Sequence, residues 1–138
     1  MKQVVLDASV ATKLFLPVPG HDLAWRAAER YAFCAPSLLL TETAYALWKY
    51  VRRGDTSAAD AKGAVSRLST IVELHGGPDL VEAALLRACA LGHPVYDCTY
   101  LALAEQFSLP LLSADNRLLA LAADGLPLDT LAEDDPAS

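Results

Sequence analysis

The chain has 138 residues, enough for one domain and short for two. Hydrophobic residues make up 54% and charged residues 20%, a balance that excludes intrinsic disorder and permits a packed core. A net charge of −6 and a pI near 4.9 exclude tight nucleic-acid binding through a basic face alone, but not a nuclease whose metal ions supply the positive charge.

In chain order, Gln3 to Leu6 is short, apolar and β-branched and predicts a buried strand. Ala8 to Leu16 predicts a helix stopped by Pro17 and Pro19. His21 to Tyr31 has helical spacing, and Phe33 to Pro36 reads as a strand. Ser37 is the expected cap of a long apolar helix ending near Arg53-Gly54. Ser57 and Asp60 form a capping box for a helix reaching about Ser69. Ile71 to Leu74 predicts a strand, Gly76-Gly77-Pro78 a turn, and Asp79 to Leu91 a helix closed by Gly92. Tyr96 to Phe107 is the next helix, Leu109 to Ser113 the next strand, and Asn116 to Ala123 a helix ending near Gly125. Leu128 to Leu131 reads as a last edge strand. Residues 1–132 form the expected domain, and 133–138 an acidic, frayed tail.

No segment reads as a signal peptide, and no apolar run reaches the ~20 residues of a membrane span. Cys34, Cys89 and Cys98 are odd in number and far apart, so neither a disulfide framework nor a zinc site is expected, and a cytoplasmic location is. Cys98 reads as a small core hydrophobe. His21, His75 and His93 are scattered singly and read as ordinary surface or partly buried histidines.

Strands separated by helices predict an α/β domain with a mostly parallel sheet, whose ligands bind outside the carboxyl ends of the strands. Asp7 directly follows the first strand and Asp115 lies two residues past Ser113, so both belong to that rim. Asp97 opens a helix, and pattern alone does not fix its end of the sheet. Glu42 sits in "SLLLTETAYALW", a helix apolar nearly all round, which predicts burial. Each acid has a plainer reading: a turn residue for Asp7 and Asp115, a helix cap for Asp97, a solvated face for Glu42. Only Lys13 and Arg117 lie near them in sequence, and four converging acids without cations require a divalent ion to neutralise them.

The stretches "VVLDASVATKLFLP", "APSLLLTETAYAL" and "VYDCTYLALAEQFSLPLLSADNRL" together resemble the acidic motifs of the PIN-domain family, and most closely the VapC-type toxins of bacterial toxin–antitoxin pairs. The likeness runs from Val4 to about Leu131, and Leu14 departs from it where many relatives carry an aromatic. It implies a three-layer α/β/α domain with a mostly parallel sheet of four to five strands. It also implies an acidic site at Asp7, Glu42, Asp97 and Asp115, assisted by Ser9 and Ser113, that holds Mg²⁺ or Mn²⁺. The implied activity is endonucleolytic RNA cleavage by metal-activated water, with no covalent nucleophile. A small antitoxin laid over the site and a homodimer are the implied partners. Lys13, Arg52, Arg53 and Arg117 are candidate RNA contacts; Lys49, Arg52, Arg53, Lys62 and Arg67 form the basic-rich region.

Three alternatives stand beside this reading. A haloacid-dehalogenase-like phosphatase also places an Asp after its first strand, but needs a second Asp where Ser9 stands. A receiver-type signalling module needs paired acids there and a late Lys, and no Lys follows Lys62. A binding-only acidic pocket would not need all four acids.

Overall fold

Val4, Val5 and Leu6 expose no surface, as expected of a strand whose run of apolar residues leaves no solvent face. They belong to β1 (Lys2–Leu6) in a computed structural model that describes residues 1–134. The chain continues through α1 (Ala8–Lys13), α2 (His21–Arg30), β2 (Tyr31–Pro36), α3 (Leu38–Arg52), α4 (Ala58–Ile71) and β3 (Val72–His75). Then come α5 (Pro78–Leu91), α6 (Val95–Phe107), β4 (Leu111–Ser113), α7 (Asn116–Leu121), β5 (Gly125–Pro127) and a 3₁₀ helix, η1 (Leu128–Asp134). Ser57 caps α4 through the Asp60 amide, as its motif predicts, and Gly92 closes α5 in the left-handed conformation.

The five strands are all parallel, in the order β3-β2-β1-β4-β5. The chain steps outward from β1 to β3, then starts the other half of the sheet at β4. The reversal therefore falls between β1 and β4, the crevice where open α/β sheets place their ligands. Helix α6 lies across β1, β2 and β4 and carries α5, while α2 packs on β2 with η1 against it, giving three layers, α/β/α. Cys98 through Ala104 are all buried because α6 is covered on both sides. Leu16, Leu47 and Ala64 form a smaller second core beneath the α3–α4 hairpin.

Four expectations are corrected. The last strand is Gly125–Pro127, in register with Leu111–Ser113, and not Leu128 to Leu131. Leu128 and Leu131 are both buried at a spacing of three, which is the period of η1 rather than of a strand. Gly125 is the residue that fits here, because a Cβ would lie 3.1 Å from the Leu119 carbonyl oxygen. Strand β4 begins at Leu111, since the Leu109 amide donates to Ala104 O and completes the end of α6. Ser37 makes no side-chain cap; its amide and hydroxyl both donate to His75 O, tying the start of α3 to the end of β3. Helix α3 is not buried all round: Tyr45 and Trp48 are exposed, stacked at 5.6 Å, with Lys49 and Arg52 over their rings. Their amphipathic rings and the cations above them let an apolar sequence face water.

Of the expected tail, Glu133 and Asp134 close η1, and residues 135–138 lie outside the described residues. Among the described residues no helix is long and apolar enough to cross a membrane, and Cys34, Cys89 and Cys98 are unpaired thiols.

Candidate active site

Asp7 directly follows β1 and caps α1, and the same geometry aims its carboxylate at the end of β4. Oδ1 accepts from the Ser9 hydroxyl at 2.6 Å and from the amides of Ser9 and Val10, while Oδ2 accepts from the Ser113 hydroxyl at 2.7 Å. Ser9 Oγ in turn accepts from the Ala114 amide, and Ser113 Oγ from the Asp115 amide. Both hydroxyl protons are thus committed to Asp7, and both hydroxyl oxygens to the backbone after β4. Asp115 repeats the arrangement of Asp7: it caps α7, its Oδ1 accepting from the amides of Arg117 and Leu118. The plain capping reading and the site reading of these two residues are therefore compatible.

Asp7 is only 4% exposed. Burial pushes its carboxyl up to about 6 from 3.8, against the serine hydroxyls and the Val10 amide, which favour the ion; the charge of Asp115 adds a smaller push upward. A buried carboxylate in this state is stabilised by any cation that reaches it.

Glu42 lies in the second turn of α3, at the boundary between its buried and exposed sides, and its Oε1 accepts from the buried Tyr100 hydroxyl at 2.6 Å. Burial raises the Glu42 carboxyl, the Tyr100 bond opposes the rise, and the charge of Asp97 adds to it. Asp97 occupies the third position of α6, inside the helix rather than at its cap. His93 Nε2 lies 2.8 Å from Asp97 Oδ2, and a carboxylate only accepts, so Nε2 carries the proton. Tyr100 is raised far above the ordinary phenol range, by burial first, then by Glu42, Asp7 and Asp97. That one hydroxyl senses three of the four acids, so the fold brings Asp7, Glu42 and Asp97 to one neighbourhood, with Asp115 beside Asp7.

Among the described residues, no three His, Cys, Asp or Glu side chains are grouped closely enough to hold a metal ion between them. The donor set suits a hard, hydrated ion instead. Glu42, Asp97 and Asp115 each commit one oxygen to a local partner and keep the other without a hydrogen bond among the described residues. Mg²⁺ is held by one or two carboxylates and keeps several waters.

The basic residues are less concentrated. Arg117 follows Asp115 in α7 and shares its rim. Lys13 ends α1 and packs along Gly20. Arg52 and Arg53 lie over Trp48 and Tyr50 at the far end of α3, roughly 15 Å along the helix from Glu42 at 1.5 Å per residue. Sequence reading missed His93 and Tyr100. For Tyr100 the available signal was spacing on α6, three residues after Asp97; His93 lies before the helix, ahead of the extended Pro94, and spacing gave no signal for it.

A family profile described as the PIN domain matches residues 4–124. The ribonuclease VapC3 of Pyrobaculum aerophilum is 30% identical over 120 residues, covering 84% of this chain and 92% of that protein. Among solved structures, PAE2754 of Pyrobaculum aerophilum superposes with a TM-score of 0.76 at 26% identity, covering 99% of this chain and 98% of the other. A toxin–antitoxin complex from Klebsiella pneumoniae gives a TM-score of 0.71 at 17% identity, over 91% and 97% of the two chains.

Proposed function

This chain belongs to the PIN-domain family, in its VapC branch, and from that premise we propose that it is a Mg²⁺- or Mn²⁺-dependent endoribonuclease acting as the toxin of a toxin–antitoxin pair. The observation that carries the reading is the buried Asp7 carboxylate, bound by serines from the start of α1 and the end of β4, with three further acids around the crevice. Family membership sets aside the haloacid-dehalogenase-like and receiver alternatives, and the second-acid position is filled by Ser9, a donor to Asp7.

Asp7 and Asp97 would be the direct ligands of the ion in this reading; Asp115 and Glu42 would hold a second ion or orient its waters. When bound, the ion supplies a water of lowered pKa and positive charge against the phosphate. The chain's own work is positional. Ser9 and Ser113 favour the ionised form of Asp7 against the effect of its burial and fix its orientation, so that it need not reorganise as charge develops. His93 fixes the plane of Asp97. Arg117 offers a guanidinium to a phosphate at the same rim.

The partners follow the branch. The neighbour from Klebsiella pneumoniae is a toxin–antitoxin complex, in keeping with an antitoxin partner; that this partner is small and covers the acids is part of the proposal. Val81, Leu85 and Leu86 are exposed apolar residues of α5, a candidate face for the homodimer. The test is brief expression in cells followed by sequencing of RNA ends. New cleavage ends should appear with the wild-type chain and vanish when its cognate antitoxin, sought among the small genes beside its own, is co-expressed. Unchanged RNA ends with normal growth at high expression would contradict the toxin reading.

A further inference from the structure

We propose that Tyr100 is a positioning residue of the acidic site, acting through Glu42. The inference rests on the reading of Glu42 as part of the metal-holding rim. Glu42 is half-buried on a long, rotatable side chain, and the neighbouring negative charge of Asp97 repels it. Left alone, it would gain rotamer freedom and hydration by swinging away from the cluster. The Tyr100 hydroxyl holds it in place from α6, at 2.6 Å, across 58 residues of chain.

The tether has three properties suited to that task. Tyr100 is 1% exposed, so its ring is fixed by packing and its oxygen is a rigid anchor. Its hydroxyl is the donor of the pair, because an ionised carboxylate only accepts, and at 2.6 Å the bond is short. Tyr100 and Asp97 are three residues apart on α6, so one rigid helix presents both the acid and the group that orients its neighbour. Oε1 is occupied, and Oε2 is the oxygen left for an ion or its water. A phenol buried only for packing would need some acceptor too. The difference is that a packing role leaves the site's metal affinity alone.

Tyr100→Phe, Glu42→Gln and the double variant separate the two roles. Metal-free melting temperature checks the fold; Phe keeps the ring and removes one oxygen. Mn²⁺ affinity, read from free Mn²⁺ in a titration, and kcat for RNA cleavage are the readouts. Tyr100→Phe should weaken each by about 10–100-fold, the scale of losing a group that orients a ligand. The double variant should be no worse than Glu42→Gln. Wild-type Mn²⁺ affinity and kcat in Tyr100→Phe, or losses that add to those of Glu42→Gln, would overturn the role of Tyr100 while leaving the ribonuclease reading intact. A wild-type protein that binds no Mn²⁺ and cuts no RNA would overturn both.

Discussion

The Ser113 hydroxyl donates to Asp7 Oδ2 at 2.7 Å, joining the end of β4 to the end of β1 across 106 residues of chain. This bond spans the point where the sheet changes direction, so it fixes the floor of the site and closes the topology at once. Ser113 is wholly buried, and its oxygen also receives the Asp115 amide. Ser113→Ala therefore leaves a buried carboxylate oxygen and a backbone amide each short of a partner. Stability should fall by about 1–3 kcal/mol, the penalty for an unsatisfied buried polar group. Urea denaturation of the metal-free protein checks this; a change below a few tenths of a kcal/mol would show that the bond is incidental.

The raised Asp7 carboxyl sets a pH dependence with a definite sign. Its folded value of about 6 lies above the ordinary 3.8, so the folded state binds more protons than the unfolded state between these values. The protonated form is the favoured one when buried, and stability from this group is lost as pH rises through about 6. Between pH 7 and pH 5 the metal-free protein should gain roughly 1 kcal/mol from Asp7. Asp7→Asn should be more stable than wild type at pH 7 and lack that component. Parallel melts of the two proteins at both pH values test it, and equal slopes would refute it.

Asp97→Asn keeps size and a hydrogen-bonding head for His93 while removing a charge next to Glu42. The charge of Asp97 raises the Glu42 carboxyl, so removing it relieves a like-charge repulsion in the metal-free protein. A carboxylate at a helix start contributes only about 0.3–1 kcal/mol the other way. The metal-free variant should melt at or above the wild-type temperature. Its Mn²⁺-dependent rise in melting temperature should shrink, because that rise reports occupancy of the site. A lower metal-free melting temperature with an unchanged Mn²⁺ response would remove Asp97 from the site.

The sheet and two of the acids were legible because both signals are local. A β-branched run followed by Asp marks β1 and Asp7, and "LLSAD" marks β4 and Asp115. The strand-end rule then places both at one rim without any knowledge of contacts. Glu42, by contrast, was read from a helix that looked greasy on every side. Sequence could not show that Tyr45 and Trp48 face water under Lys49 and Arg52, which leaves Glu42 at a boundary. Tyr100 was illegible as a partner because its acceptor is tertiary: its hydroxyl meets Glu42 across 58 residues of chain, only in the folded molecule. The final strand was misplaced because Leu128 and Leu131 are apolar in either period, and only pairing with β4 selects Gly125–Pro127.

The central claim is that this acidic crevice cleaves RNA through a bound divalent ion. The most direct measurement is the rate at which purified protein cuts a defined RNA in Mg²⁺ or Mn²⁺, in excess chelator, and after the ion is restored in excess. Cleavage should be present with the ion, absent in chelator and recovered on restoration, with Asp97→Asn slower by orders of magnitude throughout. Cleavage at the full rate in excess chelator, or an Asp97→Asn variant as active as wild type, would contradict the account.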